Sequence, residues 1–365
     1  MNVSGDGIRA PVDVTPEWLT SVLRAADGLA AAASVQAVSA EPVGTGQMAD
    51  TVRLTLTFDP PGAGPASLIA KFASEDATSR STGLMTRAYE VEVSFYATVA
   101  DLIGTRMPRG YYGWHDPDTG WFVLLLEDVT ESIQGEQLVG CAPDVAAAAL
   151  GEMAALHGPV WESGKFESWP WLNRSGPGSN EFTVALVAPL LPGFVDRYGD
   201  QLETPHVALC ERFIGVLGEW LESMSGPRTV THGDFRLDNL LFRPSDPRPW
   251  VVDWQTASWG LGASDVSYFL GGSLTMADRR IHEHDLLMTY HRALVGQGVD
   301  EYPFAQLEDD YRLTCFGGIL MGIGASMLVK RTERGDAMFV TNVQRHAQQA
   351  IDIDAEATLP GRTHV

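Results

Sequence analysis

Three polar side chains have the types and spacing of a reactive site: Asp234, Asn239 and Asp253. Asn239 follows Asp234 by five positions, and Asp253 follows Asn239 by fourteen. Two short apolar runs, 239–242 and 250–252, flank a proline-rich turn and predict a β-hairpin. A hairpin brings Asn239 and Asp253 back to one end, as two ligands of the same metal ion must be.

The gap of four residues between Asp234 and Asn239 is that of the kinase catalytic loop, His-Arg-Asp-x-x-x-x-Asn, with Gly233 in place of the arginine. In that loop the aspartate accepts a proton from the hydroxyl being phosphorylated, and the asparagine holds Mg²⁺ together with a second aspartate further along. A buried strand that ends in a capped turn would explain His232 to Asp234 alone. It would not explain the spacing to Asn239 and Asp253, which predicts phosphoryl transfer.

The pattern His-Gly-Asp-x-x-x-x-Asn, followed by an apolar hairpin and Asp253, resembles the aminoglycoside phosphotransferase-like family of small-molecule kinases. That family includes the choline and ethanolamine kinases and the ecdysteroid-kinase-like proteins. The tripeptide Asp253-Trp254-Gln255 is similar to the Asp-Phe-Gln that is usual in the last group. The resemblance therefore leans toward the ecdysteroid-kinase-like branch.

The resemblance implies an α+β, bilobal protein-kinase-like fold. Its N-lobe would be an antiparallel sheet plus a helix, and its C-lobe would be mainly helical and carry the catalytic hairpin. We expect the N-lobe over residues 1–129, a hinge near 126–129 and the C-lobe over 130–365. The alternation of apolar residues agrees with this order, because it predicts N-lobe strands at 35–42, 51–58 and 67–72.

Two glycines and a lysine of the N-lobe are candidate nucleotide contacts. Gly44 and Gly46 stand where a turn would let backbone N–H groups close over phosphates, although a plain hairpin turn explains this short pattern too. Lys71 ends an apolar strand, where a lysine is awkward to bury. In kinases such a lysine pairs with the α- and β-phosphates and with a helix glutamate.

The glutamate partner is expected on a helix predicted over 86–102. The family pattern Glu-x-x-Phe-Tyr matches the five residues that begin at Glu92, so the resemblance selects Glu92 rather than Glu90. The alternative for Glu92 is an exposed helix charge. Further along, the resemblance places the hinge, whose backbone groups hold adenine, at Leu126, Glu127 and Val129.

The resemblance thus implies ATP and Mg²⁺ as cofactors. Lys71 would contact the α/β-phosphates and Glu92 would hold Lys71. Asn239 and Asp253 would bind magnesium, while Asp234 would orient the acceptor hydroxyl and take its proton. ATP and GTP are both open as donors.

The loop after Asp253 bears on the substrate. Only eleven residues separate Asp253 from Asp265, and no Ala-Pro-Glu follows, so the long activation segment of protein kinases has no room. We expect a hydroxyl-bearing small molecule as acceptor: an aminoglycoside or other antibiotic, a choline-like amine, and a steroid or other alcohol all remain open. Asp265 is expected to cap a helix or brace a loop. The neutral Gln255 stands where many relatives carry an acid, which leaves one or two metal ions open.

An alternative function is a nucleotide-binding pseudokinase that acts as a sensor or scaffold. Loss of Lys71, Asp234, Asn239 or Asp253 would mark it, and all four are present.

Charge and composition limit the partners. The net charge of −22 argues against nucleic acid and an anionic membrane surface, which are negative themselves. The acidity fits either solubility or a cationic substrate. Cys141, Cys210 and Cys315 give no disulfide framework, and residues 1–14 show no secretory signal. The apolar stretch 315–329 is too short for a membrane span. We expect a cytoplasmic protein whose oligomeric state is open.

Overall fold

The chain forms two compact units in the structure, a computed structural model that describes residues 5–43, 49–173 and 178–360. The first unit consists of Met1–Asp101, Met107–Glu131 and Val252–Thr256. The second unit consists of Leu102–Arg106, Ser132–Val251 and Ala257–Val365. The sequence predicts a boundary between residues 129 and 130, and the nearest segment of the first unit ends two residues later, at Glu131. Two short segments belong to the other unit than the sequence predicts: Leu102–Arg106 to the second unit and Val252–Thr256 to the first.

Each of these two short segments is held by contacts within the unit to which it belongs. The first, Leu102–Arg106, bonds within the second unit, because Gly104 N–H donates to the Ala155 carbonyl at 2.9 Å and Arg106 O accepts from Val251 N–H at 2.8 Å. The second, Val252–Thr256, belongs to the first unit. The ring of Trp254 stacks on Phe95 there, with centroids 4.0 Å apart and planes at 9°.

The first unit is a five-stranded antiparallel sheet in the order β1-β2-β3-β5-β4, with helices on it. Its described strands are β1 (Ser34–Pro42), β2 (Ala49–Asp59), β3 (Ser67–Ala73), β4 (Gly110–His115) and β5 (Phe122–Glu127). Its described helices are α1 (Pro16–Ala25), α2 (Ala77–Met85) and α3 (Ala88–Thr98). The three predicted strands are confirmed, whereas the helix predicted over 86–102 ends earlier and continues as a 3₁₀ turn, Ala100–Leu102.

The two faces of this sheet pack against different helices. Helix α1 begins at Pro16, and the Thr15 hydroxyl accepts from the Trp18 N–H at 3.2 Å. Its apolar side joins a core with Leu68, Ala70 and Phe72 of β3, among others. Residues of α3 pack with β5 in a separate cluster on the other face. Because side chains alternate along a strand, Lys71 points to the opposite face from Ala70 and Phe72.

The second unit is mainly helical. Its described helices are α4 (Pro143–His157), α5 (Ser179–Val187), α6 (Leu191–Tyr198), α7 (Thr204–Gly215), α8 (Leu217–Ser223), α9 (Gly262–Ser273), α10 (Met276–Gly296), α11 (Phe304–Thr314), α12 (Gly317–Leu328) and α13 (Glu333–Asp352). Its described strands are β6 (Ile133–Gln134), β7 (Arg228–Thr231), β8 (Leu240–Arg243), β9 (Asp246–Val251) and β10 (Ser258–Leu261). Strands β8 and β9 form the predicted hairpin, with Leu240 opposite Val251.

One helical stretch, Phe304–Leu328, has the length and composition of a membrane span, with a mean hydropathy of 1.2. Of its most apolar 18-residue window, 56% is buried in the protein, and a core helix has the same length and composition. In the structure the stretch is divided between α11 and α12. Ile319 and Ile323 of α12 are fully buried in a hydrophobic core cluster of the second unit.

Candidate active site

Lys71 bridges two carboxylates in the first unit. Its Nζ lies 2.7 and 2.8 Å from the two oxygens of Glu92 and 2.8 Å from Asp253 Oδ1. Lys71 and Glu92 are nearly buried, and the Asp253 side chain is 27% exposed. Glu90 instead pairs with Arg87 at 2.7 Å near the surface. The structure therefore pairs Lys71 with the glutamate selected from the sequence, while their contact with nucleotide stays a prediction.

The charges of this triad do not cancel. Burial alone would lower the pKa of Lys71, but the carboxylates of Asp253 and Glu92 outweigh it and raise that pKa, so the ammonium stays charged. Burial raises the pKa of Glu92, and Lys71 offsets only part of the rise because Asp253 adds a second negative charge. One cation faces two carboxylates, and this excess of negative charge suits a further cation.

The backbone at Asp253 adopts an unusual conformation. Its φ is +71°, a left-handed conformation that non-glycine residues rarely adopt and that clusters at functional sites. The fully buried Trp254 stacks on Phe95 of α3, which anchors the turn next to Asp253. Gln255 Nε2 lies 3.1 Å from Asp253 Oδ2, so the neutral side chain holds the second carboxylate oxygen.

The remaining nucleotide contacts predicted in this unit have a mixed outcome. Gly44 and Gly46 lie outside the described residues. Leu126 and Glu127 are the last two residues of β5, and Val129 is buried just beyond it. The Asp128 carboxylate between them accepts from Arg53 Nε at 2.7 Å and from the Ser67 hydroxyl at 2.6 Å. Adenine binding by these backbone groups stays a prediction.

Asp234 lies at the centre of a hydrogen-bond network in the second unit. Its Oδ2 accepts from Arg236 Nε and from Asn239 Nδ2, each at 3.0 Å. Its Oδ1 accepts from the Tyr268 hydroxyl at 2.9 Å. Burial would lower the pKa of Arg236, but Asp234 and Asp238 outweigh it, so that pKa is raised and the guanidinium is charged.

The Asn239 side chain has a defined orientation. Its Nδ2 donates both to the Asp234 carboxylate and to the Asp234 carbonyl at 2.9 Å, so its Oδ1 is on the other side of the amide. Asn239 stands directly before β8, and Asp253 follows the end of β9 by two residues. The two residues belong to different units, so their joint binding of magnesium stays a prediction.

Asp265 braces the loop that precedes Asp234. Its carboxylate accepts from the backbone N–H groups of His232 at 2.6 Å and Gly233 at 2.9 Å, and it contacts His157 Nε2 at 3.2 Å. Burial would raise its pKa, but these partners outweigh it and lower the pKa. The expected helix cap is wrong, since α9 begins at Gly262, whereas the expected loop brace is present. Gly233 has a φ of +79°, which favours glycine and separates this loop from one with arginine there.

Sequence reasoning missed three residues around Asp234. Tyr268, Arg236 and Asp238 had no assigned role, although Arg236 and Asp238 lie within the catalytic loop pattern itself. Arg236 Nη1 also lies 3.0 Å from Asp238 Oδ2. The arginine two positions after Asp234 was a readable signal, because an arginine so close to a carboxylate is a natural partner. Tyr268 had no local signal, since it reaches Asp234 from a helix that begins 28 positions later.

In the part of the chain that the structure describes, no group of three or more His, Cys, Asp or Glu side chains could hold a metal ion. Magnesium commonly uses one or two carboxylates together with water and substrate phosphates.

A family model and one curated protein match parts of this chain. Residues 221–349 match a family described as "Uncharacterized oxidoreductase dhs-27", which is an ecdysteroid-kinase-like family. The match includes Asp234, Asn239 and Asp253. "Probable acyl-CoA dehydrogenase IBR3" of Arabidopsis thaliana is 40% identical over 48 residues, which are 13% of this chain and only 6% of that protein.

Solved structures with the same fold are small-molecule kinases. A candidate aminoglycoside phosphotransferase of Ralstonia eutropha JMP134 is 15% identical with a TM-score of 0.54, over 94% of this chain and 99% of that one. A choline kinase of Cryptosporidium parvum Iowa II is 10% identical with a TM-score of 0.56, over 93% and 98%. An amicoumacin kinase in complex with AMP-PNP and Ca²⁺ is 10% identical with a TM-score of 0.51, over 85% and 88%.

These similarities confirm the α+β, protein-kinase-like fold predicted from the sequence. They also confirm the resemblance to aminoglycoside phosphotransferases and choline kinases.

Proposed function

We propose that this chain is an ATP-dependent phosphotransferase that phosphorylates a hydroxyl group of a small molecule. The observation that carries the proposal is Lys71, held 2.7 Å from Glu92 and 2.8 Å from Asp253 on a buried strand. An ammonium fixed in this way is a preformed site for phosphate oxygens, and the kinase fold uses it on the α/β-phosphates.

Magnesium fits the residues present. Asp253 and Asn239 offer hard oxygen ligands, and the Lys71–Glu92–Asp253 triad has an excess of negative charge. When bound, Mg²⁺ supplies charge neutralisation on the phosphates as the transition state forms. Asp253 would bind it through a carboxylate that Gln255 keeps in place, and Asn239 through its amide oxygen.

The transfer itself would depend on Asp234. The acceptor hydroxyl donates its hydrogen bond to the Asp234 carboxylate, which orients the oxygen toward the γ-phosphorus. The new O–P bond forms as the bond from the γ-phosphorus to the leaving ADP oxygen breaks, and the hydroxyl proton passes to Asp234. Positioning and electrostatics would supply most of the acceleration.

A small acceptor is supported by the chain after Asp253. Strand β10 begins at Ser258 and pairs with β7, and α9 follows at once from Gly262. This short connection has no room for the long segment that protein kinases use for polypeptides.

The test is release of ADP from ATP, and of GDP from GTP, across a panel of hydroxylated metabolites and antibiotics. We expect at least one acceptor to give turnover, and Asp234→Asn to lower kcat by about a hundredfold or more, as expected when the acceptor hydroxyl loses its acid–base partner. Asp310→Asn is the matched control, because Asp310 accepts from the hydroxyl of Tyr302 outside the site. Equal rates for wild type and Asp234→Asn would refute the role of Asp234.

Metal use has its own test. We expect MgATP to bind more tightly than ATP without metal in calorimetry, and Asp253→Ala to remove that difference. Asp101→Ala, an exposed acid of the same unit, should keep it. A chain that binds nucleotide but never turns over any acceptor would instead support the pseudokinase function.

A further inference from the structure

The Asp234 carboxylate is held by donors from two separate elements. Arg236 of the catalytic loop donates to Oδ2 at 3.0 Å, and Tyr268 of α9 donates to Oδ1 at 2.9 Å. Because each oxygen accepts from at least one of these donors, the plane of the carboxylate cannot rotate without breaking a bond. Its orientation is therefore set by the surrounding protein before any acceptor arrives.

The bonds to Asp234 also identify the oxygen that meets the acceptor. An ionised carboxylate offers about four lone-pair positions, two on each oxygen. Among the residues that the structure describes, Oδ2 already accepts from both Arg236 and Asn239, whereas Oδ1 accepts from Tyr268 alone. The remaining position is on Oδ1, next to the Tyr268 hydroxyl.

Arg236 is fixed at both ends of its guanidinium. Besides Asp234, its Nη1 contacts Asp238 Oδ2 at 3.0 Å and the Met338 sulfur at 2.8 Å. Asp238 is held in turn by Arg334, whose Nη2 lies 3.0 Å from Oδ1. The Arg236 side chain is 19% exposed, so little freedom is left to it.

Tyr268 is supported by a buried ring. The His346 imidazole stacks on the Tyr268 ring, with centroids 5.3 Å apart and planes at 19°. The Nδ1 atom of His346 contacts Gln349 Oε1 at 3.1 Å. A Cβ at Gly271 would lie 2.4 Å from this imidazole, and one at Gly318 would lie 2.2 Å from it. The two glycines thus leave the space for the ring that holds Tyr268 in place.

We propose that Arg236 and Tyr268 are positioning residues, which fix Asp234 so that its Oδ1 faces the acceptor hydroxyl on the Tyr268 side. This inference rests on the proposed function, since it specifies the geometry of the base in that reaction. Both residues act through Asp234. A role through Asp234 alone predicts that nucleotide affinity does not depend on them.

The first test measures kcat and KM with an acceptor found in the panel. Tyr268→Phe keeps the ring stack and removes only the hydroxyl, and Arg236→Gln removes the charge. We expect each to lower kcat about tenfold or more, since small misplacements of a reacting group have effects of this size. The KM for ATP should stay within about twofold, and Arg236→Lys should recover part of the rate.

Two matched controls accompany these variants. Tyr302→Phe removes a tyrosine–carboxylate bond to Asp310, and Arg212→Gln removes an arginine–carboxylate bond to Glu356, both away from Asp234. Both should keep kcat within about twofold. Thermal unfolding of all variants separates loss of folding from loss of positioning. If Arg236→Gln does not fold, Arg236→Lys takes its place in the comparison of kcat.

The second test places Tyr268→Phe and Arg236→Gln in an Asp234→Asn background under single-turnover conditions. If both residues act through Asp234, neither should reduce the residual rate further. Undiminished kcat in folded Tyr268→Phe and Arg236→Gln, or a full tenfold loss in the Asp234→Asn background, would overturn the inference alone. Absence of ADP release by the wild type with every acceptor would overturn the proposed function instead.

Discussion

Lys71 Nζ lies 2.7 and 2.8 Å from the two carboxylate oxygens of Glu92, although 21 positions separate the residues. The pairing unites β3 and α3 of the first unit and leaves Glu90, two positions away, to an exposed pair with Arg87. The two glutamates therefore offer a direct comparison of a buried and a surface ion pair on one helix.

The first prediction uses this comparison. Glu92→Gln keeps the shape of the side chain but removes a charge-assisted bond, which typically contributes about 1.5–3 kcal/mol. We expect the affinity for MgATP to fall about tenfold or more, since each 1.4 kcal/mol is about a factor of ten. Calorimetric titration is the measurement. Glu90→Gln is the control and should change affinity less than about twofold; equal effects would contradict the assignment of Glu92.

The second prediction concerns the loop brace. Asp265→Asn cannot accept from both His232 and Gly233 N–H groups through two carboxylate oxygens, so a buried donor is left unpaired. We expect about 3 kcal/mol lower stability in urea unfolding, at the upper end of the usual range for such a group, and a large loss of turnover. The exposed Asp285→Asn should stay within about 0.5 kcal/mol. An Asp265→Asn variant with unchanged stability and unchanged turnover would show that the reaction does not need this brace.

The third prediction compares two helix glycines. A Cβ at Gly318 in α12 would lie 2.2 Å from the His346 ring, whereas a Cβ at Gly151 in α4 meets nothing within 4 Å. Gly318→Ala should therefore lower stability by about 1–3 kcal/mol through overpacking. Gly151→Ala should raise it by up to about 1 kcal/mol, because alanine is the better helix former. Urea unfolding of both variants decides, and stabilisation of Gly318→Ala would contradict the close packing.

The fourth prediction is a pH dependence of stability. Burial lowers the pKa of His346 to about 4, with a smaller opposing effect from Gln349, whereas the unfolded value is near 6.5. Between these values the unfolded chain binds more protons, so stability falls as the pH falls from about 6.5 to about 4. Integrated over this window, the loss is about 3 kcal/mol.

The measurement is urea unfolding of wild type and His346→Gln from pH 7 to pH 4.5. The variant lacks this group, so the difference in stability between the two proteins should shrink as the pH falls. Other groups titrate equally in both proteins and drop out of the difference. A difference that is constant across this range would show that His346 is not held neutral.

Local patterns in the sequence were enough to predict the candidate site residues around Asp234 and Lys71. The five-residue step from Asp234 to Asn239 and the hairpin that follows are short-range features, set by backbone geometry over a few residues. The direction of Lys71 also follows from strand alternation, because its neighbours on either side are apolar. The choice of Glu92 came from the family pattern and agrees with the contact seen.

Only the tertiary structure decided which distant groups complete these sites. Lys71 contacts Asp253 across 182 positions, and Tyr268 reaches Asp234 from α9. His346 then supports Tyr268 from α13, in a space left by glycines of two other helices. Such contacts depend on how helices pack and where their ends lie, and no local periodicity reports that. The sequence thus determined which groups are candidates for the reaction, and the packing decided how they are held.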